Sequence, residues 1–146
     1  MSDPVIVAQE SEGVRRLTLN RPEQANAIDS TLGDALLLAL EDAAADAVRV
    51  VVIDANGKHF CGGFDFKGFE AQSEGDLLLR FVRIEQVLQL IWSGPFVTVG
   101  VAQGAAFGAG ADLIAACSYR LGRPACRFRF PGYRFGLALG TRRLGC

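Results

Sequence analysis

The sequence predicts an α/β domain, on three observations. Short β-branched runs alternate with amphipathic helical segments along the chain. Two of those runs, VVVIDANG from Val50 and VTVGVAQG from Val97, are alike, lie 47 residues apart, and each passes from a helical segment into a glycine-rich loop. Half of the 146 residues are hydrophobic and no shift of composition marks a boundary, so one domain over residues 1–146 is expected. Self-similarity of this kind fits a spiral stack in which successive turns of strand and helix bury one another's faces. A doubly wound sheet gives a similar pattern, and periodicity alone leaves the two open.

Val14 to Asn20, VRRLTLN, alternates apolar and polar residues as a half-buried strand does. Val5 to Gln9 reads as its hairpin partner across the turn near Glu12 and Gly13, and Arg21 with Pro22 stops the strand. Thr31 with Asp34 reads as the capping box of a helix on which Leu32, Ala35, Leu36, Ala39, Leu40 and Ala43 recur at helical spacing. The nearly continuous apolar run Arg49 to Asp54 predicts a strand buried on both faces, as in parallel sheets. After a loop from Gly57 to Gly75, a second helix carries Leu77, Phe81, Ile84, Leu88 and Ile91 on one face and ends at Gly94 and Pro95. Val97, Thr98, Val99 and Val101 form the next strand, which leaves through Gly104, Gly108 and Gly110 into an alanine-rich helix. A helix starting near Gly108 sets Ala109 and Asp112 on one face, a backbone donor beside a carboxylate.

Composition excludes several classes. The single histidine, His59, rules out a multi-histidine metal site, and no Cys/His set has zinc spacing, so no metal is expected. Cys61, Cys117, Cys126 and Cys146 form no CxxC pair and MSDPVIV lacks the marks of a signal peptide, which predicts reduced thiols in a cytoplasm. No apolar run approaches the roughly 18 residues of a membrane span. The net charge of −1 hides an asymmetry, because Asp112 is the last acidic residue and Arg120, Arg123, Arg127, Arg129, Arg134, Arg142 and Arg143 follow it. Arginine forks suit phosphate-rich ligands or nucleic acid, but the favoured reading is pairing with carboxylates of another subunit or of further chain, with no nucleic-acid partner. RFRFPGYRF could stack bases, yet it equally describes a strand with one buried face.

LNRPEQANAID near residue 20, HFCGGFDFK near residue 60 and QGAAFGAGADLIAAC near residue 105 stand in an order and spacing that resemble the enoyl-CoA hydratase/isomerase (crotonase) superfamily. With the linking strands, the resemblance covers nearly the whole chain. It implies a ββα spiral superhelix, a coenzyme A thioester as substrate with no other cofactor, and an enolate held by two backbone N–H groups. By motif position those donors are Phe64 and Ala109. The resemblance further implies coenzyme A contacts from Glu23, Gln24 and Ala25 and from Gly62, Asp65 and Phe66, and a homo-oligomer, trimeric or hexameric. Family members continue into further helices, so the chain is read as a core lacking that C-terminal helical region.

Departures from the family pattern are informative. The first hydratase glutamate position is Asp112 and the second falls at Gly132, so single-base isomerisation through a dienolate is favoured over two-carboxylate hydration. Two other readings stand beside this one. A non-catalytic acyl-CoA-binding or scaffold protein is favoured by Gly132, and a short-chain-dehydrogenase-like NAD(P) loop by the spacing of Gly104, Gly108 and Gly110, although no ribose-binding acid follows. Against these roles, Asp112 also reads as a carboxylate favoured by a helix N-terminus, Asp65 as a helix cap or loop fastener, and His59 as structural or solvent-facing. Cys61 as a nucleophile lacks an orienting third group.

Overall fold

The computed structural model describes residues 2–135; Arg142, Arg143 and Cys146 lie outside the described residues. Strand β1 (Val5–Ser11) pairs antiparallel with β2 (Val14–Leu19), Val5 opposite Leu19. Strands β3 (Val50–Ala55), β4 (Val97–Ala102) and β6 (Tyr119–Gly122) then add in parallel, giving the order β1-β2-β3-β4-β6. From β2 onward each new strand lies on the same side of the last, without the reversal of order that defines a doubly wound sheet. The spiral is the arrangement formed.

A second row of pairings runs beside the sheet and matters more for the site. β5 (Ala105–Phe107) pairs in parallel with β7 (Arg127–Arg129), and isolated parallel bridges join Ile28 to Phe64 and Cys61 to Ala106. Each of these ties the segment leaving one sheet strand to the segment leaving the next. The loops are thereby stacked in register, as the strands are.

Helix α1 (Ser30–Ala45) buries Leu32, Leu36 and Leu40, which are at most 1% exposed. Burial of each such side chain is worth about 1.5–3 kcal/mol. Its cap is Asp29, whose carboxylate accepts from the Leu32 N–H at 2.8 Å, and not the expected Thr31 with Asp34. Asp34 points outward to Arg83. The Ile28–Phe64 bridge holds the chain extended up to the residue before Asp29, so the helix begins one turn-forming residue after the bridge ends.

β3 has Val51 and Ile53 fully buried while Val50, Val52 and Asp54 are only half-buried, so its two faces are not equally covered as expected. Helix α2 (Glu74–Ser93) is capped by Ser73 and closed at Gly94, and it buries Ile84, Leu88 and Ile91 together with Val87. Leu77 and Phe81 on the same face are half-buried. Helix α3 (Ala109–Ala116) begins where the glycine pattern placed it, with Gly108 as N-cap. Among the described residues no helix is long and apolar enough to cross a membrane, and no group of three His, Cys, Asp or Glu is placed to hold a metal ion.

Candidate functional site

The two glycine loops meet. The Phe107 N–H donates to the Cys61 carbonyl at 2.9 Å and the Cys61 N–H to the Ala105 carbonyl at 3.2 Å, so the loop after β3 lies along the loop after β4. Gly63 is one of the points of close approach. A Cβ there would stand 2.7 Å from the Phe107 carbonyl oxygen and 3.5 Å from the Ala109 nitrogen, and φ is +94°, so only glycine fits. Gly108 has φ +55° and ψ −121°, a turn into α3 that side chains resist for backbone reasons alone, since no atom lies within 4 Å of its Cβ position. Phe64 and Ala109 each directly follow one of these glycines, on the two segments that meet.

Both amides are left available by their surroundings. The Ile28–Phe64 bridge is made by Ile28 N–H to Gly63 O (2.7 Å) and Asp65 N–H to Ile28 O (3.0 Å), so the N–H of Phe64 itself takes no part in it. Ala109 is the first residue of α3, where an N–H has no intrahelical acceptor. Asp112 lies one turn on. It is 4% exposed, and its N–H donates to the Gly108 carbonyl at 3.0 Å. Backbone donors of this kind suit a developing negative charge, and a carboxylate one turn along the same helix suits proton transfer.

The residues proposed for coenzyme A divide in their surroundings. Glu23 and Gln24 are exposed on a 3-10 turn, Pro22–Gln24, and Ala25 follows in the left-handed region with φ 51°. The Gly62 N–H donates to the Ala25 carbonyl at 2.9 Å, so this turn and the first glycine loop form one continuous surface, with Phe66 exposed on it. Asp65 differs: its carboxylate accepts from the Lys67 N–H at 3.0 Å and faces the Arg21 guanidinium at 3.4 Å, and its own N–H and carbonyl are both bonded within the scaffold. Asp65 fastens its loop.

Several residues that fix this surface escaped the sequence analysis. Asn26, fully buried, accepts from the Arg21 N–H at 2.7 Å and donates to the carbonyls of Asn56 and His59 at 2.9 and 3.0 Å, locking the 3-10 turn to the exit of β3. Arg80 is 6% exposed on α2, and donates to the carbonyls of Ile28 and Asp65 at 2.9 and 2.7 Å and to Gln72 Oε1 at 2.8 Å. Its guanidinium lies 3.8 Å from the centroid of the Phe64 ring, which also stacks on Phe81 at 4.6 Å and meets Phe66 at 4.9 Å. Burial lowers the Arg80 pKa from its ordinary value; Asp65 and Asp29 act against that and Arg21 with it. The orientation of Phe64 is therefore set by α2. The one signal available was a lone arginine between Leu77 and Ile84 on an otherwise apolar helix face.

The remaining candidates have structural roles. His59 Nδ1 accepts from the Ala105 N–H at 3.0 Å and holds the second loop. Burial pushes the Cys61 thiol up to about 12, which disfavours the thiolate a nucleophile needs. A Cβ on Gly104 would meet His59 Nδ1 at 2.7 Å and one on Gly110 would meet Cys61 Cβ at 2.8 Å, so two of the three glycines in the suggested dinucleotide loop serve packing of the chain on itself. Gly132, at the position expected for a second carboxylate, is buried in a 3-10 turn, Pro131–Phe135.

The chain and its fold are similar to those of known proteins. A family model described as enoyl-CoA hydratase/isomerase matches residues 9–144. The "Probable enoyl-CoA hydratase echA6" of Mycobacterium leprae is 34% identical over 134 residues, covering 89% of this chain and 52% of that protein. "Enoyl-CoA hydratase domain-containing protein 3, mitochondrial" of Xenopus laevis is 30% identical over 140 residues, covering 94% of this chain and 48% of that protein. A crystal structure from Bordetella parapertussis, described as an enoyl-CoA hydratase/isomerase, superposes with a TM-score of 0.92 at 45% identity over 98% of this chain and 59% of that one. The chain thus spans about half the length of the curated relatives it matches.

Proposed function

The chain belongs to the enoyl-CoA hydratase/isomerase family, and from that premise we propose that it binds a coenzyme A thioester across the two glycine loops and stabilises its enolate. In this reading the N–H groups of Phe64 and Ala109 hold the thioester oxygen, each worth about 10²–10³ in rate as donors of this kind are. Coenzyme A lies along Glu23, Gln24, Ala25 and Gly62, with Phe66 and Asp65 shaping that surface. The observation that carries the reading is the approach of Gly63 to the Ala109 nitrogen with Asp112 buried one turn away.

Asp112 is the base. Its carboxylate takes a proton from the carbon between the thioester carbonyl and the double bond of a 3-enoyl thioester, and the electron pair moves through that carbon onto the thioester oxygen. The dienolate so formed collapses when Asp112 returns the proton to the distal carbon, leaving the double bond conjugated with the carbonyl. Hydration needs a second group to direct water, and Gly132 supplies none, so isomerisation is favoured. On the same reading the protein is a trimeric or hexameric homo-oligomer of the cytoplasm acting on thioesters of the fatty-acid kind; the resemblance supports the assembly, and bacterial relatives the compartment.

Asp112→Asn keeps the shape of the side chain and removes the base. Isomerisation of a 3-enoyl-CoA is expected to fall by roughly 10²–10⁴ while calorimetric affinity for the thioester changes little. Undiminished turnover would make Asp112 structural, and a wild-type chain that binds the thioester without isomerising it would favour the non-catalytic acyl-CoA-binding reading.

A further inference from the structure

The arginines after Asp112 have no role in the chemistry above. Arg127 and Arg129 project from the same side of β7, with their guanidinium carbons 5.7 and 5.6 Å from the centroid of the Phe107 ring. Arg129 and Arg134, with Phe107, Phe130, Pro131 and Tyr133, line a cleft of about 290 Å³. Among the described residues no carboxylate forms an ion pair with Arg127, Arg129 or Arg134. The sequence beyond Asp112 contains no Asp or Glu to do so.

The cleft adjoins the second donor loop. The Gly108 N–H donates to the Arg129 carbonyl at 2.7 Å, which joins Arg129 to the residue directly before Ala109. The coenzyme A surface lies at the other loop, where Gly62 is bonded to Ala25. A thioester oxygen near Ala109 therefore has the coenzyme on one side and this cationic cleft on the acyl side. Gly132 sits in the same turn as Pro131, Tyr133 and Arg134 of the cleft, so the place where a second carboxylate is expected adds no negative charge beside it. An acyl carboxylate meets attraction there. Guanidinium forks bind carboxylates in a bidentate, charge-assisted way.

We propose that the acyl group of the substrate ends in a carboxylate held by Arg129 and Arg134: a short ω-carboxyacyl thioester. This rests on the thioester reading above. The phosphates of coenzyme A are the other anions such a cleft could take, and the test separates the two sources.

The test titrates the 146-residue chain calorimetrically with glutaryl-CoA and with pentanoyl-CoA, which have the same number of acyl carbons and differ at the far end. Glutaryl-CoA is expected to bind roughly ten-fold or more tightly, as a charge-assisted pair allows. Arg129→Met should abolish that preference and leave pentanoyl-CoA unchanged, and Arg134→Gln should reduce it. Equal wild-type affinities overturn the proposal while leaving the thioester reading intact. Equal weakening of both ligands by Arg129→Met also overturns it and puts the arginine on a coenzyme phosphate. If neither thioester binds, the reading beneath falls and the proposal with it. Should Arg129→Met fail to fold by circular dichroism, the wild-type pair and Arg134→Gln decide the matter.

Discussion

Asn26 and Arg80, both buried, donate to main-chain carbonyls of the loops before α3, whereas Arg127, Arg129 and Arg134, after α3, are exposed and have aromatic rings as neighbours. The two regions handle charge under different constraints. A buried guanidinium or amide needs internal partners, and although Arg80 Nε has none among the described residues, the bonds of Nη1 and Nη2 and those of Asn26 hold a scaffold in one shape. An exposed guanidinium over a ring gives up little by leaving it, so those after α3 are available to a ligand. The difference separates what builds the site from what selects its occupant.

The largest effect should come from the buried side. Arg80→Met keeps the apolar stem, removes three hydrogen bonds and the contact over Phe64, and leaves the Asp65 carbonyl without its donor. A loss of about 2–3 kcal/mol is expected in denaturant unfolding, the range for buried bonds to a charged group. Thioester affinity should fall with it, because Phe64 loses its support. A change below about 0.5 kcal/mol, the size of an ordinary surface substitution, would erase the contrast between the regions.

At the other end of the scale, Arg129→Met should alter unfolding stability by no more than about 0.5 kcal/mol, as surface substitutions usually do. The same variant is expected to change ligand preference, so stability and selectivity separate in one protein. A loss comparable with that of Arg80→Met would show Arg129 to be part of the scaffold and merge the two regions.

The split follows what local sequence can express. The β-branched runs, the amphipathic faces and the turn at Gly108 are written in neighbouring residues, and β2, β3, β4 and α3 form where those patterns lie. Ala109 and Asp112 were readable together because helical spacing relates them. The loops that carry Phe64 and Ala109 meet through the pairing of Cys61 with Ala106, a contact between distant residues that no periodicity contains. Arg80 reads locally as a polar break in an apolar face, because its acceptor Ile28 is 52 residues away. Asp29, Ser30 and Thr31 all suit a cap, and the bridge at Ile28 selects Asp29.

The central claim, that the N–H groups of Phe64 and Ala109 hold the oxygen of a thioester, is tested most directly by the carbonyl stretch of a bound acyl-CoA carrying carbon-13 at the thioester carbon. Infrared difference spectra of the chain with labelled and unlabelled ligand isolate that one band. Two fixed donors in a water-excluded site polarise a carbonyl more than bulk water does, so the band should move below its position in water. A bound ligand whose band stays at or above the position in water would contradict the account.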